Sequence, residues 1–382
     1  VVRQTKEEEL DQNRITRVRD QVRGCLIGLA IGDSLGAPYE ILSPNDIAYG
    51  VNDPDGVTGF IKDSRGCSDE IKKRLSERPP GMVTDDTQLS DVVASSLIRC
   101  RGFNREDQVR GFIEAWRRNT NNMYGWGGTT LAAAQALAGF RPNNQLFNEQ
   151  HGCRHPLSNA LPPAKSGQGC GNGVAMKVAP LALFHALTYP QTADLFFATI
   201  CSLGLMTHGD PRAWIAAIDV ALVIVEALVP TEVDECDSCE VDPSTSFNRL
   251  THCLICNTDC LEQENVALIP DDDRLSERLE TAFRVQPDEK QLRETAGTSC
   301  YSLESVPFAI ATYLRHPTDY RTAVLEAVNA GGDTDTNAAL VGAMVGANVG
   351  EAGIPRAWIN TVSACIRMRQ LADDLVRVFY TD

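Results

Sequence analysis

Two short stretches concentrate oxygen-bearing side chains where a helix should begin. Gly331 to Thr336 reads GGDTDT and runs into the small-residue segment NAALVGAMVGANVG; Met82 to Ser90 reads MVTDDTQLS, with Thr84, Asp85, Asp86 and Thr87 ahead of an amphipathic stretch. Ser, Thr and Asp are preferred N-caps, and early acids favour the positive end of the helix dipole, so one such motif alone would be read as capping. Two motifs with adjacent acids that repel when ionised cost more than a cap requires, and a bound cation removes that cost. Carboxylates and hydroxyls suit hard ions such as Mg²⁺, Mn²⁺ or Ca²⁺, and neither motif contains His or Cys, which argues against zinc at these positions. Several carboxylates around few ions suggest a binuclear centre able to clamp substrate oxygens and activate water. Whether the two motifs meet in space is open at this level.

Two glycine-bearing segments accompany them. GCLIGLAIGDSLGAPYE (Gly24 to Glu40) repeats glycine at 24, 28, 32 and 36, one face of a helix. Close helix packing accounts for that spacing and leaves Asp33 and Glu40, at the polar end, as functional candidates. GQGCGNGVAMKVAP (Gly167 to Pro180) is a glycine-rich loop leading to an apolar helix, and its backbone N–H groups could cradle a phosphate.

The elements that must position these groups read as helices. Apolar residues recur at three- and four-residue intervals in RVRDQVRGCLIGLAIGDSLG, DTQLSDVVASSLIRC, DQVRGFIEAWRRN and YRTAVLEAVNA, and no run alternates with a period of two. Gly and Pro cluster in PNDIAYGVNDPDG, RPNNQ, HPLSNALPPAKSGQGCGNG and IPRAW, which read as connecting loops. The expectation is an all-α fold, a single orthogonal helical domain over residues 14–382, with an acidic, Cys-rich insertion at 230–287.

Composition narrows the partners. With 382 residues the chain can bury a large core. A formal charge of -16 argues against general nucleic-acid binding, which depends on Lys and Arg. The charged N-terminus lacks the apolar run of a secretory signal, and the most apolar stretch, Trp214 to Val229, falls short of the roughly 20 residues a membrane span needs. It reads as a core helix. Thirteen cysteines without an export signal fit reduced thiols, so a cytoplasmic or nuclear monomer without membrane attachment is expected.

The order GLAIGDSLGAPYE, TDDTQL, GNGVAMKVAP, MTHGDP and GGDTDTNAALVGAMVGA resembles the ADP-ribosylglycohydrolase family. The resemblance spans Gly24 to Gly350 and implies an all-α fold with two divalent cations, Mg²⁺ or Mn²⁺, at the base of a cleft for ADP-ribose. It implies Thr84, Asp85 and Asp86 as ligands on one side of the metal pair and Asp333, Asp335 and Thr336 on the other, with Glu40 as the catalytic carboxylate. Gly127 and Gly128, Gly169, Cys170, Gly171, Asn172 and Gly173, His208, Ser299 and Cys300 fall where the family contacts substrate. Cys170 stands where an aromatic ring can face the adenine, and Cys300 where an aliphatic residue lines the pocket.

LESVPFAIATYLR (Leu303 to Arg315) looks more like the branch that removes ADP-ribose from serine, and that cleaves O-acetyl-ADP-ribose, than like the arginine-directed branch. The loops near Glu40 and Ser305 would read the leaving group. Hydrolysis of ADP-ribosyl-arginine, or a non-catalytic ADP-ribose-binding or structural role, are the alternatives.

Cys236 and Cys239, then Cys253 and Cys256, form two CxxC pairs with His252 and Cys260 alongside. This resembles a structural zinc knuckle, while the acidic, loop-like setting equally suits free thiols.

Overall fold

The computed structural model describes residues 2–118, 125–138, 169–229, 246–269 and 273–380. Among them the chain forms α1 (Val2–Gly36), α2 (Pro44–Val51), α3 (Asp69–Glu77), α4 (Asp85–Cys100), α5 (Arg105–Arg118) and α6 (Gly128–Ala138). Then come α7 (Ala179–Leu187), α8 (Phe196–Gly204), α9 (Pro211–Leu228), α10 (Ser246–Glu264), α11 (Leu275–Val285) and α12 (Glu289–Ala296). The last are α13 (Ser302–Arg315), α14 (Tyr320–Asn329), α15 (Thr334–Val349), α16 (Arg356–Thr361) and α17 (Ala364–Phe379). The described residues contain no β-strand, only an isolated bridge between Gly171 and Tyr301. The all-α expectation holds.

The centre of the molecule is the pair α1 and α15, and the glycine spacing explains it. A β-carbon at Gly24, Gly28, Gly32 or Gly36 would collide with the backbone of Gly346, Gly342, Ala338 or Thr334 respectively. As one number rises the other falls, so the helices run antiparallel with their backbones in direct contact. The C-terminal end of α1, leading to Glu40, therefore lies against the start of α15, which carries Asp333 and Asp335. Helix α9 is the buried core helix its apolar sequence implied, with Ile215, Ala216, Ile218, Val220 and Val223 fully enclosed. No single helix among the described residues is long and apolar enough to cross a membrane.

Two segments differ from the sequence-based expectation. PNDIAYGV was read as loop because of its Pro and Gly; it is α2, because Pro44 occupies the first turn and Ser43 and Asp46 form a reciprocal capping box. The described part of the 230–287 stretch is helical, not loop-like. Helix α10 docks on α9 through Thr258 Oγ1, which donates to Asp219 Oδ1 at 2.8 Å. It docks on α11 through Glu262, which accepts from Leu275 N and Ser276 Oγ at 2.6 Å each.

Candidate metal and ligand site

The two acidic motifs do not act as caps. Thr84 occupies the N-cap of α4 and makes no capping bond with its side chain. That work comes from α1: buried Asp33 accepts from Thr84 N at 3.0 Å, from Thr87 N at 3.2 Å and from Thr87 Oγ1 at 2.5 Å. At α15 the N-cap is Asp333, again without a side-chain capping bond. The turn is fixed by other groups: Asp333 N and Asn337 Nδ2 donate to Thr298 O at 2.8 and 2.9 Å, and Thr334 Oγ1 donates to Gly36 O at 2.8 Å. Asp335 Oδ1 accepts from Thr336 N at 3.0 Å in its own first turn, and the carboxylates of the two motifs otherwise face one another.

They converge. Thr336 Oγ1 lies 3.4 Å from Asp86 Oδ2, and Thr84 Oγ1 lies 3.2 Å from the same oxygen. Glu40, Asp333 and Asp335 bring carboxylate oxygens within 4.8 Å of one another. Asn172 Nδ2 donates to Asp333 Oδ2 at 2.7 Å. Asp86 Oδ1 is buried with no hydrogen-bond partner, an expensive position for a carboxylate oxygen. Burial, then the neighbouring Asp33 charge, pushes Asp85 up to about 8. Asp86 and Asp335 are held well above the usual carboxylate range, by burial first and then by the surrounding acids. An all-oxygen donor set, mutual repulsion and an orphaned buried oxygen fit a hard divalent cation.

Glu40 follows the 3₁₀ turn Ala37–Tyr39 that ends α1. Arg78, at the end of α3, donates through Nη1 to Glu40 Oε2 and to Ala37 O, each at 2.6 Å, and Arg74 Nη1 reaches Glu40 O at 3.0 Å. The next residues join α15: Ile41 N donates to Gly332 O at 2.6 Å and Gly332 N to Leu42 O at 2.9 Å. Ile41 takes a left-handed backbone with φ 65° and is exposed, a costly conformation for a β-branched residue.

The glycine loop lies beside this cluster. Asn172 N donates to Cys300 O at 3.0 Å and Ser302 N to Cys170 O at 2.9 Å, so Gly169 to Gly173 and Ser299 to Cys300 run side by side. Gly127 and Gly128 sit at the start of α6, two residues beyond Gly125, which packs on Asp85 and Thr84. Ser299 Oγ is tied to Glu304 at 2.6 Å. Cys300 is exposed.

Three of the expected site residues lie in enclosed positions. Cys170 is 1% exposed and its thiol is enclosed beside Tyr301. His208 lies beneath the glycine loop, where a β-carbon at Gly173 would meet its ring at 2.8 Å. Ser305 itself is fully buried on α13. Of the two CxxC pairs, Cys253 and Cys256 lie on helix α10, with Cys256 Sγ 3.1 Å from His252 Nδ1. Cys236 and Cys239 are outside the described residues.

Sequence reasoning missed Arg78, Lys177 and Thr207. Arg78 had no motif. Lys177 carried a signal, as a single charge inside the apolar run VAMKVAPLALF, and it is buried with its ammonium on Gly173 O and Thr207 Oγ1.

Comparison with known proteins agrees with this architecture. The family model for ADP-ribosylglycohydrolase matches residues 14–382. The ADP-ribosylhydrolase ARH3 of Gallus gallus is 27% identical, covering 94% of this chain and 93% of that protein. The ADP-ribosyl-[dinitrogen reductase] glycohydrolase of Rhodospirillum rubrum is 24% identical with 90% of each covered. A solved structure described as an ADP-ribosylglycohydrolase-related protein complex aligns with TM-score 0.58 at 24% identity, over 95% of this chain and 99% of that one, which supports the fold. A glycine-seamed helix pair that delivers Glu40 to two uncapped acidic helix starts, on a chain matched from residue 14 to its last residue, makes this protein a member of the ADP-ribosylglycohydrolase family and a hydrolase.

Proposed function

We propose that this protein releases ADP-ribose from O-linked adducts, ADP-ribosyl-serine on proteins foremost and O-acetyl-ADP-ribose as a related small substrate. The observation that carries the reading is the convergence of Glu40 with two aspartate motifs whose N-cap residues, Thr84 and Asp333, make no side-chain capping bond. Thr84, Asp85 and Asp86 would hold one side of a pair of divalent cations, Mg²⁺ or Mn²⁺, and Asp333, Asp335 and Thr336 the other. When bound, such cations supply Lewis acidity toward the ribose hydroxyls and lower the pKa of water.

The chain's own groups do the rest. Cleavage at the anomeric carbon passes through an oxocarbenium-like state, which glycosidases ordinarily meet with carboxylates. Glu40, held by Arg78 at the rim of the cluster, faces the leaving-group side and transfers a proton to or from the oxygen there. Backbone N–H groups of the Gly169 to Gly173 loop, locked to the strap at Cys300, hold the diphosphate. The O-linked assignment is supported by the resemblance of Leu303 to Arg315 to the serine-directed branch.

The test is to incubate the protein with matched peptides carrying ADP-ribose on serine or on arginine, with Mg²⁺, Mn²⁺ or EDTA, and follow free ADP-ribose by mass spectrometry. Chelator-sensitive release from serine alone is expected. Release from arginine alone overturns the O-linked assignment, and no release from either, or from O-acetyl-ADP-ribose, overturns the hydrolase reading.

A further inference from the structure

Beneath the glycine loop lies a line of three buried polar side chains that the proposed chemistry does not use. Lys177 and His208 are each 2% exposed and Thr207 is fully buried. Lys177 Nζ donates to Gly173 O and, at 3.2 Å, to Thr207 Oγ1. Thr207 Oγ1 lies 2.8 Å from His208 Nδ1 and 3.5 Å from Gly204 O. His208 Nε2 has no partner among the described residues, and β-carbons built at Gly171 and Gly173 would stand 3.5 and 3.2 Å from it. A nearly buried ring nitrogen without a protein partner is thus aimed into the loop, at a place where two glycines leave space.

The donor inventory fixes the direction of this line. Burial pushes Lys177 down to about 7 while Asp85 and Asp86 act to keep its proton; charged or neutral, it has at least two N–H groups for its two neighbours, Gly173 O and Thr207 Oγ1, and Thr207 Oγ1 accepts from it. A hydroxyl has one proton to give, and the nearer acceptor is His208 Nδ1. With Nδ1 accepting, the proton of a neutral ring sits on Nε2. The ring is neutral because burial, and then the Lys177 charge, pushes it down to about 3.

We propose that Lys177 and Thr207 are positioning residues that lock His208 as its Nε2–H tautomer, so that the ring presents one neutral donor through the gap at Gly171 and Gly173 to an anionic oxygen of the ligand. The proposal rests on the reading above, in which that loop receives the diphosphate of ADP-ribose. A neutral donor of fixed tautomer adds no charge next to the cations the acidic cluster would hold. Lys177 contributes twice, since its bond to Gly173 O also orients the peptide that closes the loop.

The test begins on the wild-type protein without substrate. Two-bond ¹H–¹⁵N spectra of histidine-labelled protein, with the His208 signals assigned from a His208→Gln variant, should show a ring protonated at Nε2 alone. A ring protonated at Nδ1, or an imidazolium at pH 7, overturns the proposal whatever the enzyme's activity. Thr207→Val, which removes the hydroxyl at nearly constant volume, should lose the single tautomer. It should also raise the ADP-ribose Kd and the substrate KM about tenfold or more, with kcat within about threefold, the loss expected for one hydrogen bond to a charged group. Thr207→Ser should restore both readouts. Wild-type Kd in a folded Thr207→Val protein overturns the proposal. If the wild type binds no ADP-ribose at all, the diphosphate reading falls, while the wild-type spectrum still decides the tautomer lock.

Discussion

Removing the cations should make the folded state less stable at high pH than at low, the reverse of what most buried carboxylates with a cationic partner produce. Asp33 is pushed up to about 6 and Asp85 up to about 8, by burial in both cases, against an ordinary 3.8. The folded metal-free protein therefore keeps protons that the unfolded chain releases. The sign follows from linkage: this stabilisation is fully present below about pH 4 and is lost as pH rises through about 6 and then about 8. A divalent cation binds the ionised carboxylates, so its effect must grow across the same window. Its size can be set for each ion at a hundredfold excess over Kd, which contributes about 2.7 kcal/mol. An unfolding entropy of about 2.1 cal/mol/K per residue gives about 0.8 kcal/mol/K for this chain, hence a rise in Tm of about 3 °C per ion and about 7 °C for a filled pair. Scanning fluorimetry at pH 5 and pH 8, in EDTA, in saturating Mg²⁺ and in saturating Mn²⁺, measures all six values. Asp335→Asn supplies the control, because it removes one charge from the cluster and should abolish most of the cation-dependent rise while leaving the metal-free protein at least as stable. A shift below about 1 °C at pH 8 in either metal, or a metal-free Tm as sensitive to pH in Asp335→Asn as in the wild type, refutes the assignment of these acids to a cation site.

Other expectations follow from single contacts. Arg78→Met frees one Glu40 oxygen and should lower kcat about tenfold to a hundredfold with the ADP-ribose Kd unchanged, because a misplaced catalytic group costs rate more than binding; Arg78→Lys should recover part of it, and an equal loss of binding in calorimetry would contradict a positioning role. Asp33→Asn replaces a carboxylate accepting three bonds at the start of α4 and should cost about 1–3 kcal/mol in urea unfolding, together with weaker cation binding; unchanged stability would mean that α4 is fixed by something else. Gly28→Ala places a methyl group against the α15 backbone and should destabilise by at least about 1–3 kcal/mol, more than the same change at Gly66, where a β-carbon meets nothing; equal midpoints for the two variants would contradict the close seam.

How much of this was legible depended on the range of the interaction. Helices α1, α4, α5 and α14 announce themselves through periodicity, a local property, and the four-residue glycine spacing foretold close packing without naming the partner. The oxygen motifs were legible because two of them place adjacent acids, at a repulsive cost a cap does not require. What resolved the capping alternative was Asp33, which reaches Thr84 and Thr87 across more than fifty positions, a relation no local pattern encodes. Helix α2 was misread because proline was weighed as a breaker although Ser43 and Asp46 supplied a start. Arg78, Thr207 and the orientation of His208 were hidden for the same reason as Asp33: each acts through a neighbour distant in sequence or through the direction of a side chain.

The seam between α1 and α15 has a consequence for how the active centre can fail. Contacts between backbones, four residues apart on each helix, act as detents: the helices mesh at one setting, and the next equivalent setting is four residues away, about 6 Å along the axis at 1.5 Å per residue. No intermediate setting is sterically free. Glu40 and Asp333 hang from adjacent ends of the two helices, so their separation is indexed and not elastic. A lesion far down the seam, at Gly24 or Gly346, should therefore leave the centre either correctly gauged or wholly out of register, and a population of partly active molecules would be a mixture of these two kinds.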